Sequence, residues 1–282
     1  MNDPLSKPLT TEVRDIRRFQ HLMRHGQYEH LLKQSLGLKE REAISLVGAG
    51  GKTSLMFLLA KTLTASGHRV ITTTTTKIFE PTADQTPFLS LGETQEAVLA
   101  NVNRYQHVTV VSHWGPEGKL QGISPEQVDT LWKSGKIDYL IVEADGAARR
   151  PLKAPESYEP VIPSCTGVVI GLLGADGFDT LLDEETVFRA SIFSRLTGLP
   201  LGARVSYEAI VKAFTHKDGI IKGAPRSARV VPFVNKVDLD QGLTKGREFA
   251  RVILDSRDPR IDRVVLGQLE SDPPVVEVIF PQ

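Results

Sequence analysis

The fold is decided by the stretch Ile44-Ser45-Leu46-Val47-Gly48-Ala49-Gly50-Gly51-Lys52-Thr53-Ser54. An apolar, β-prone run enters a glycine-rich turn, and the helix-prone segment Thr53–Ala65 follows it. Glycines let backbone N–H groups turn inward around an anion, and a helix N-terminus adds partial positive charge. Lys52 is placed to reach the β and γ phosphates of a nucleotide, and the Thr53 hydroxyl to ligate Mg²⁺. We therefore predict that the nucleotide is bound by Gly48, Ala49, Gly50, Gly51, Lys52, Thr53 and Ser54.

The spacing of this loop departs from the usual phosphate-loop pattern. That pattern, G-x-x-x-x-G-K-[ST], would need a glycine at Leu46, whereas the first glycine here is Gly48. The shorter form, G-x-x-G-K-T, is similar to the ATP-binding loop of Mur-type ligases. Spacing alone therefore leaves both GTP and ATP open as the nucleotide, and it keeps an ATP-dependent ligase or transferase as an alternative function.

Short β-branched runs alternate with helix-prone segments along the rest of the chain. The candidate strands are Ile44–Val47, Val70–Thr74, Val108–Val111, Tyr139–Val142, Val168–Leu172, Val230–Val234 and Val264–Leu266. The candidate helices are Thr53–Ala65, Thr94–Asn103, Glu126–Lys133, Glu184–Leu196 and Thr244–Leu254. This alternation predicts an α/β fold, a P-loop NTPase-like and mainly parallel sheet with helices on both faces. We predict an N-terminal helical extension over 1–40 and a P-loop domain over 41–282, with a helical insertion around 174–228.

A second motif follows the candidate strand Tyr139–Val142, which ends in Glu143-Ala144-Asp145-Gly146. In P-loop proteins a carboxylate at such a strand end holds Mg²⁺ or its water, and a following glycine N–H faces the γ phosphate. We therefore assign Mg²⁺ to Thr53 and Glu143, and Gly146 to the nucleotide. Asp145 is a second carboxylate that suits metal binding or proton acceptance from an attacking water. The predicted catalytic residues are Lys52, Glu143 and Asp145.

A third motif, Asn235-Lys236-Val237-Asp238, follows the candidate strand Val230–Val234. It is the N-K-x-D signature of guanine-specific GTPases. A fixed carboxylate accepts hydrogen bonds from N1–H and the exocyclic amine of guanine, and adenine cannot donate the same pair. The motif therefore favours GTP over ATP and adds Asn235, Lys236 and Asp238 to the predicted nucleotide site.

Two further groups of residues are candidates for contact with the γ phosphate or another anion. Five successive threonines end the second candidate strand and are followed by a lysine, so hydroxyl groups and a cation gather at one strand end. A basic run that Pro151 and Pro155 would hold in place follows the Glu143 motif. The candidates from these two groups are Thr75, Thr76, Lys77, Arg149, Arg150 and Lys153.

Composition limits the classes of partner. Lys and Arg total 34, Asp and Glu total 34, and the formal net charge is zero. A protein with zero net charge exerts no long-range electrostatic attraction on nucleic acid or an acidic membrane, so we expect neither as a partner. The lone Cys165 excludes a disulfide framework and a cysteine-rich metal site. The start of the chain carries no apolar signal region, and we expect a cytoplasmic protein.

Taken together, these motifs resemble the YqeC family, and the resemblance covers the chain from about Leu32 onward. The matching stretches are Val47–Ser54, Thr72–Lys77, Val142–Ala147, Arg150–Glu156, Glu159–Pro163 and Asn235–Asp238. The resemblance implies a cytoplasmic nucleotide-binding accessory protein that helps to mature a selenium-dependent molybdenum hydroxylase. The expected partners are therefore that hydroxylase or its maturation proteins. Arg149, Arg150 and Lys153 would then hold phosphates or an anionic partner group such as molybdate, a pterin phosphate or a selenium species.

Three functions compete at this point. The first is a Mg²⁺-dependent NTPase, with GTP preferred over ATP, that acts as a maturation switch. The second is the ATP-dependent ligase or transferase that the loop spacing allows. The third is a non-catalytic adaptor whose nucleotide site is structural.

Overall fold

The computed structural model describes residues 25–281, with side chains from residue 30 onward, so most of the predicted extension over 1–40 lies outside the described residues. The helices are α1 (His25–Leu36), α2 (Lys52–Ala65), α3 (Gln95–Tyr105), α4 (Pro125–Lys133), α5 (Ala190–Thr197), α6 (Tyr207–Thr215) and α7 (Gly242–Asp255). The strands are β1 (Glu42–Gly48), β2 (Val70–Thr74), β3 (Lys77–Phe79), β4 (Leu89–Leu91), β5 (His107–Val111), β6 (His113–Trp114), β7 (Lys119–Gln121), β8 (Tyr139–Glu143), β9 (Leu152–Lys153), β10 (Val168–Gly174), β11 (Val187–Phe188), β12 (Arg229–Asn235), β13 (Val264–Gly267) and β14 (Val275–Ile279).

A nine-stranded sheet organises the chain, in the order β14-β13-β12-β10-β1-β8-β2-β5-β4. All neighbouring strands in it run parallel except β14, which is antiparallel to β13. Its central strands are buried along their whole length because helices cover both faces. This confirms the predicted α/β, P-loop NTPase-like fold.

Side chains of the central strands alternate between the two faces of the sheet. In β1, Ile44 and Leu46 pack in the core with α1 and α2, whereas Val47 packs in the core with α5, α6 and α7. A third cluster, under α3 and α4, takes the remaining inward residues of β2, β5 and β8. Two layers of helices therefore hold the strands rigidly, and the carboxyl ends of the parallel strands meet at one edge.

The predicted helix over Glu184–Leu196 is wrong in its first half. Asp183 Oδ1 accepts hydrogen bonds from the amides of Glu185 and Thr186 at 3.0 and 2.9 Å, and this turn leads into β11. The helix, α5, begins only at Ala190, whose amide donates to Glu184 Oε1 at 2.9 Å. The carboxylate of Glu184 therefore caps a helix of which it is not a member.

Two small sheets lie beside the main one. Strands β3, β7 and β6 form an antiparallel sheet, and β9 pairs with β11. The second pairing ties the segment after β8 to the start of α5, within the stretch between β10 and β12. No helix in the part of the chain that the structure describes is long and apolar enough to cross a membrane.

Candidate functional site

The glycine-rich loop connects β1 to α2 and passes over the end of β10. The amide of Ala49 donates to the carbonyl of Leu172 at 2.9 Å, which holds the loop against that strand. Gly50 has φ 84°, and a Cβ there would lie 2.5 Å from the amide nitrogen of Gly174. Only glycine allows this backbone conformation and this close approach, so the loop depends on the residue type that the sequence supplies.

Helix α2 begins directly at the loop with no side chain to cap its first amides. Gly51 is the N-cap residue, and the first turn contains no acidic residue. The first amides of a helix lack partners within the helix, and its dipole favours an anion at this end. The start of α2 therefore has the chemistry of a phosphate-binding site.

Lys52 is the first residue of α2, and its ammonium is turned back under the loop. It donates to the carbonyl of Gly48 at 2.6 Å and lies 3.2 Å from Asp145 Oδ1. The other oxygen of Asp145 accepts the amide of Gly48 at 3.1 Å. Asp145, predicted to be catalytic, thus lies fully buried beneath the loop and fixes both its first glycine and its lysine.

Thr53 and Glu143 meet at the floor of the site. The Thr53 hydroxyl donates to Glu143 Oε2 at 2.7 Å, because β8 lies directly beside β1 in the sheet. Burial raises the pKa of Glu143 above its usual value, and the charge of Lys52 and the Thr53 hydrogen bond oppose that rise. A hydroxyl and a carboxylate are oxygen ligands of the kind that Mg²⁺ prefers, so this pair fits the ion assigned to it.

A chain of buried charges continues from Asp145 away from the loop. Lys153 lies 2.9 Å from Asp145 Oδ2 and 2.9 Å from Glu159 Oε2, and it donates to the carbonyl of Gly146 at 2.6 Å. Arg189, at the start of α5, donates to Glu159 at 2.5 Å. Lys153 is fully buried, so the structure places this candidate anion contact inside the protein and not on a surface open to a ligand.

The Asn235-Lys236-Val237-Asp238 motif lies beside the loop, one strand beyond β10. Asn235 Nδ2 donates to the carbonyl of Gly50 at 2.8 Å, and its Oδ1 accepts the amide of Leu269 at 3.0 Å. Lys236 forms an ion pair of 2.6 Å with Asp176, which follows the end of β10. The carboxylate of Asp238 is exposed, and its nearest donor is Ser271 at 3.4 Å. Asn235 thus joins the motif to the phosphate loop, and Asp238 remains open to solvent.

The threonine run has mainly internal hydrogen-bond partners. The hydroxyls of Thr73, Thr74 and Thr75 donate to backbone carbonyls of neighbouring segments at 2.7 Å each. The hydroxyl of Thr76 lies 3.2 Å from that of Thr74. Lys77, the next residue, is exposed and faces the site.

These elements surround a cleft of about 530 Å³ at the carboxyl edge of the sheet. The predicted site residues that line it are Gly50, Gly51, Lys52, Thr53, Ser54, Lys77, Glu143, Gly146, Arg149, Arg150, Asn235 and Lys236. The predicted residues outside its lining are Gly48, Ala49, Thr75, Thr76, Asp145, Lys153 and Asp238.

Several residues near the cleft were not predicted from the sequence. Phe79 and Lys119 come from the small antiparallel sheet, and Glu270 comes from the loop after β13. Asp176 holds Lys236 of the N-K-x-D motif. Asp176 lies two residues after the end of the buried strand β10. A carboxylate at the carboxyl end of such a strand is the signal that could have identified this residue.

The chain is similar to known proteins over most of its length. A family model described as YqeC protein matches residues 44–191. A protein of Escherichia coli (strain K12), described as an uncharacterized protein YqeC, is 35% identical over 243 residues, which cover 85% of this chain and 93% of that one. Among solved structures, hydrogenase maturation factor HypB from Archaeoglobus fulgidus matches with a TM-score of 0.39 and 15% identity, over 91% of each chain. The family model spans more than half of this chain and the Escherichia coli relative spans most of it, so the chain belongs to the YqeC family.

Proposed function

We propose that this protein binds a nucleoside triphosphate together with Mg²⁺ at the loop Gly48–Thr53. The observation that supports this most strongly is the 2.7 Å contact between Thr53 and Glu143 at the start of an uncapped helix. Thr53 and Glu143 would hold the Mg²⁺ ion, which would supply positive charge to offset that of the triphosphate. Lys52 would exchange its bonds to Gly48 and Asp145 for bonds to phosphate oxygens, which are stronger acceptors than a carbonyl.

We further propose that the base is guanine and that the carboxylate of Asp238 selects it. The support is the bond from Asn235 to the carbonyl of Gly50, which places the N-K-x-D motif beside the phosphate loop. Hydrogen bonds to a charged group contribute about 1.5–3 kcal/mol each. Loss of the carboxylate should therefore weaken GTP binding by at least about tenfold.

The biological role that fits this chemistry is a GTPase-like switch in the maturation of a selenium-dependent molybdenum hydroxylase. The motifs shared with the YqeC family support this role. The γ phosphate would order the residues around Thr53 and Glu143, and hydrolysis would release them. Glu143 lies at the position from which a carboxylate can orient the metal and its water.

Titration of the full chain with GTP and with ATP, each with and without Mg²⁺, tests nucleotide binding. We expect tighter binding of GTP than of ATP and a gain in affinity with Mg²⁺. The Thr53→Ala variant should lose that gain. Arg226→Gln is the matched control, because Arg226 lies before β12, at the opposite edge of the sheet. Equal affinity for GTP and ATP would refute the guanine assignment, and binding without any effect of Mg²⁺ would refute the metal assignment.

The Asp238→Asn substitution tests the base directly. An asparagine at this position should shift preference from guanine to xanthine, because the amide donates where the carboxylate accepted. Unchanged preference would remove Asp238 from the base site.

Two further measurements separate the alternatives. Release of ADP that requires an added amine or acid would favour the ligase. Normal maturation of the hydroxylase by a Lys52→Ala variant that no longer binds nucleotide would favour the adaptor.

A further inference from the structure

The wall of the cleft opposite the phosphate loop is built from segments that are far apart in the sequence. Phe79 ends β3, Lys119 begins β7, and the two are directly paired across the small antiparallel sheet. Arg149 reaches the same ring from the loop that follows β8. The Arg149 guanidinium lies 5.3 Å and the Lys119 ammonium 5.1 Å from the centre of the Phe79 ring. The exposed ring of Phe79 thus contacts two cations, Lys119 and Arg149, in the lining of the cleft.

The charge of the cleft is strongly asymmetric. Six cationic side chains line it, against the three carboxylates of Glu80, Glu143 and Glu270, in a protein whose formal net charge is zero. Lys52 and Lys236 are held by buried or half-buried carboxylates of their own. Cations in the lining therefore outnumber carboxylates two to one, and part of this excess lies outside the phosphate loop, at Lys77, Arg149 and Arg150.

Three cations of the cleft lining have no anionic partner among the side chains that the structure describes. The side chains of Lys77, Arg149 and Arg150 form no ion pair or hydrogen bond with any of those side chains or with the described backbone. A cation without a carboxylate partner favours a bound anion, which would supply the missing counter-charge.

The backbone also holds Arg149 in an uncommon conformation. Ala148 and Arg149 have φ angles of 46° and 60°, in the left-handed region that non-glycine residues rarely adopt. Conformations of this kind persist where the surrounding structure enforces them, and they are frequent at ligand-binding sites. Here the turn directs the arginine towards Phe79, away from the buried Lys153.

We propose that Lys77, Arg149 and Arg150, of which Arg149 lies over the ring of Phe79, form a second subsite that binds a tetrahedral oxyanion group of a small second substrate while the nucleotide occupies the phosphate loop. The guanidinium fork of arginine matches the geometry of such an oxyanion. The subsite deepens the proposed function, because it rests on a nucleotide bound in the same cleft.

The full chain, saturated with Mg²⁺ and a non-hydrolysable GTP analogue, is titrated calorimetrically with inorganic phosphate and with phenyl phosphate at constant ionic strength. The bound analogue blocks the phosphate loop, so any saturable 1:1 binding comes from another site. Comparable binding of both probes indicates a free oxyanion as the natural ligand, and tighter binding of phenyl phosphate indicates an ester that carries a ring. Absence of saturable binding of either probe overturns the proposal.

Substitutions then assign the binding to the subsite. The double variant Arg149→Gln/Arg150→Gln should weaken oxyanion binding tenfold or more and weaken nucleotide binding by a smaller factor. The charge-conserving variant Arg149→Lys/Arg150→Lys should bind the oxyanion more tightly than the glutamine variant but less tightly than the wild type, because lysine keeps the charge and lacks the fork, and partial retention excludes misfolding as the cause. Phe79→Leu, which removes the ring that Arg149 lies over, should weaken binding two- to fivefold. Arg226→Gln should leave it unchanged. A loss of nucleotide affinity as large as the loss of oxyanion affinity would place both arginines in the triphosphate site and overturn the proposal.

Failure of the nucleotide proposal is recognised separately by titrating the unloaded protein. If the wild-type chain binds no nucleotide, oxyanion binding that survives Lys52→Ala but not Arg149→Gln/Arg150→Gln still supports the subsite. Oxyanion binding that is lost in Lys52→Ala and kept in the arginine variant contradicts it.

Discussion

Asp145 is expected to contribute more to stability than any surface carboxylate, and the Asp145→Asn substitution tests this. The side chain is fully buried and contacts the Gly48 amide and the ammonium groups of Lys52 and Lys153 within 3.2 Å. Asparagine keeps the shape but removes the charge, so two buried ammonium groups lose a counter-ion. Removing one partner of a buried ion pair costs about 3–5 kcal/mol. Lys153 keeps Glu159, which holds the expected loss within that range.

Urea unfolding at neutral pH, followed by circular dichroism, measures the effect. With a denaturant dependence of about 3 kcal/mol per molar or less, the midpoint should fall by roughly 1 M or more. The same substitution at half-exposed Asp262, which pairs with Arg263, is the control and should cost less than about 1 kcal/mol. A loss for Asp145→Asn no larger than this control would refute the reasoning.

A double variant tests whether the two charges act on each other. Asp145→Asn leaves the Lys153 ammonium with Glu159 as its remaining carboxylate partner. Lys153→Met then removes this cation. The double variant should be more stable than the sum of the two single losses predicts, by about 1 kcal/mol or more, because contacting charges are coupled. Strict additivity would show that Asp145 and Lys153 contribute independently.

Three further predictions follow from single residues. The Gly51→Ala substitution should weaken nucleotide binding tenfold or more in a titration, because Gly51 has φ 132° and a Cβ there would lie 2.5 Å from Asn235 Nδ2. The control is Gly118→Ala, because Gly118 also has a positive φ, 67°, but a Cβ there would lie in open space. The Mg²⁺-dependent gain in nucleotide affinity should shrink as the pH falls towards the raised pKa of Glu143, and Glu143→Gln should abolish the gain at every pH. Burial lowers the pKa of His107 to about 3, so the unfolded chain takes up a proton below about pH 6.5 that the folded protein does not. Stability should therefore fall by roughly 2 kcal/mol between pH 7 and pH 5 on account of this group, and His107→Gln should flatten that part of the urea-midpoint profile.

The central strands and the phosphate loop were predictable because their signals are local. The predicted bounds of Val70–Thr74 coincide with β2, and the predicted helix Glu126–Lys133 begins one residue after the start of α4 and ends with it. An apolar run that is buried on both faces, or a glycine turn before a lysine, needs no knowledge of distant residues. The order of the three motifs along the chain was likewise visible.

The edge strands and the helix after Asp183 were harder because their signals are weak or non-local. β4 and β14 are short or half-exposed, so neither shows the continuous apolar run of the central strands. The segment Glu184–Leu196 has helical composition, yet pairing of β11 with β9 takes its first residues into an extended conformation. Such a pairing joins positions more than thirty residues apart, which no local pattern encodes.

The different positions of the cations after β8 could not be predicted from their order in the sequence. Arg149, Arg150 and Lys153 form one basic run, which favoured a common role for them at the γ phosphate. The chain turns at the left-handed residues 148 and 149 and then enters β9, which directs Lys153 into the core towards Asp145. Arg149 is directed instead to Phe79, seventy residues earlier in the chain. Lys153 therefore contacts Asp145 beneath the phosphate loop, while Arg149 and Arg150 line the open cleft. We expect loss of the charge at Lys153 to alter the loop and loss of the charge at Arg149 to alter ligand binding in the cleft.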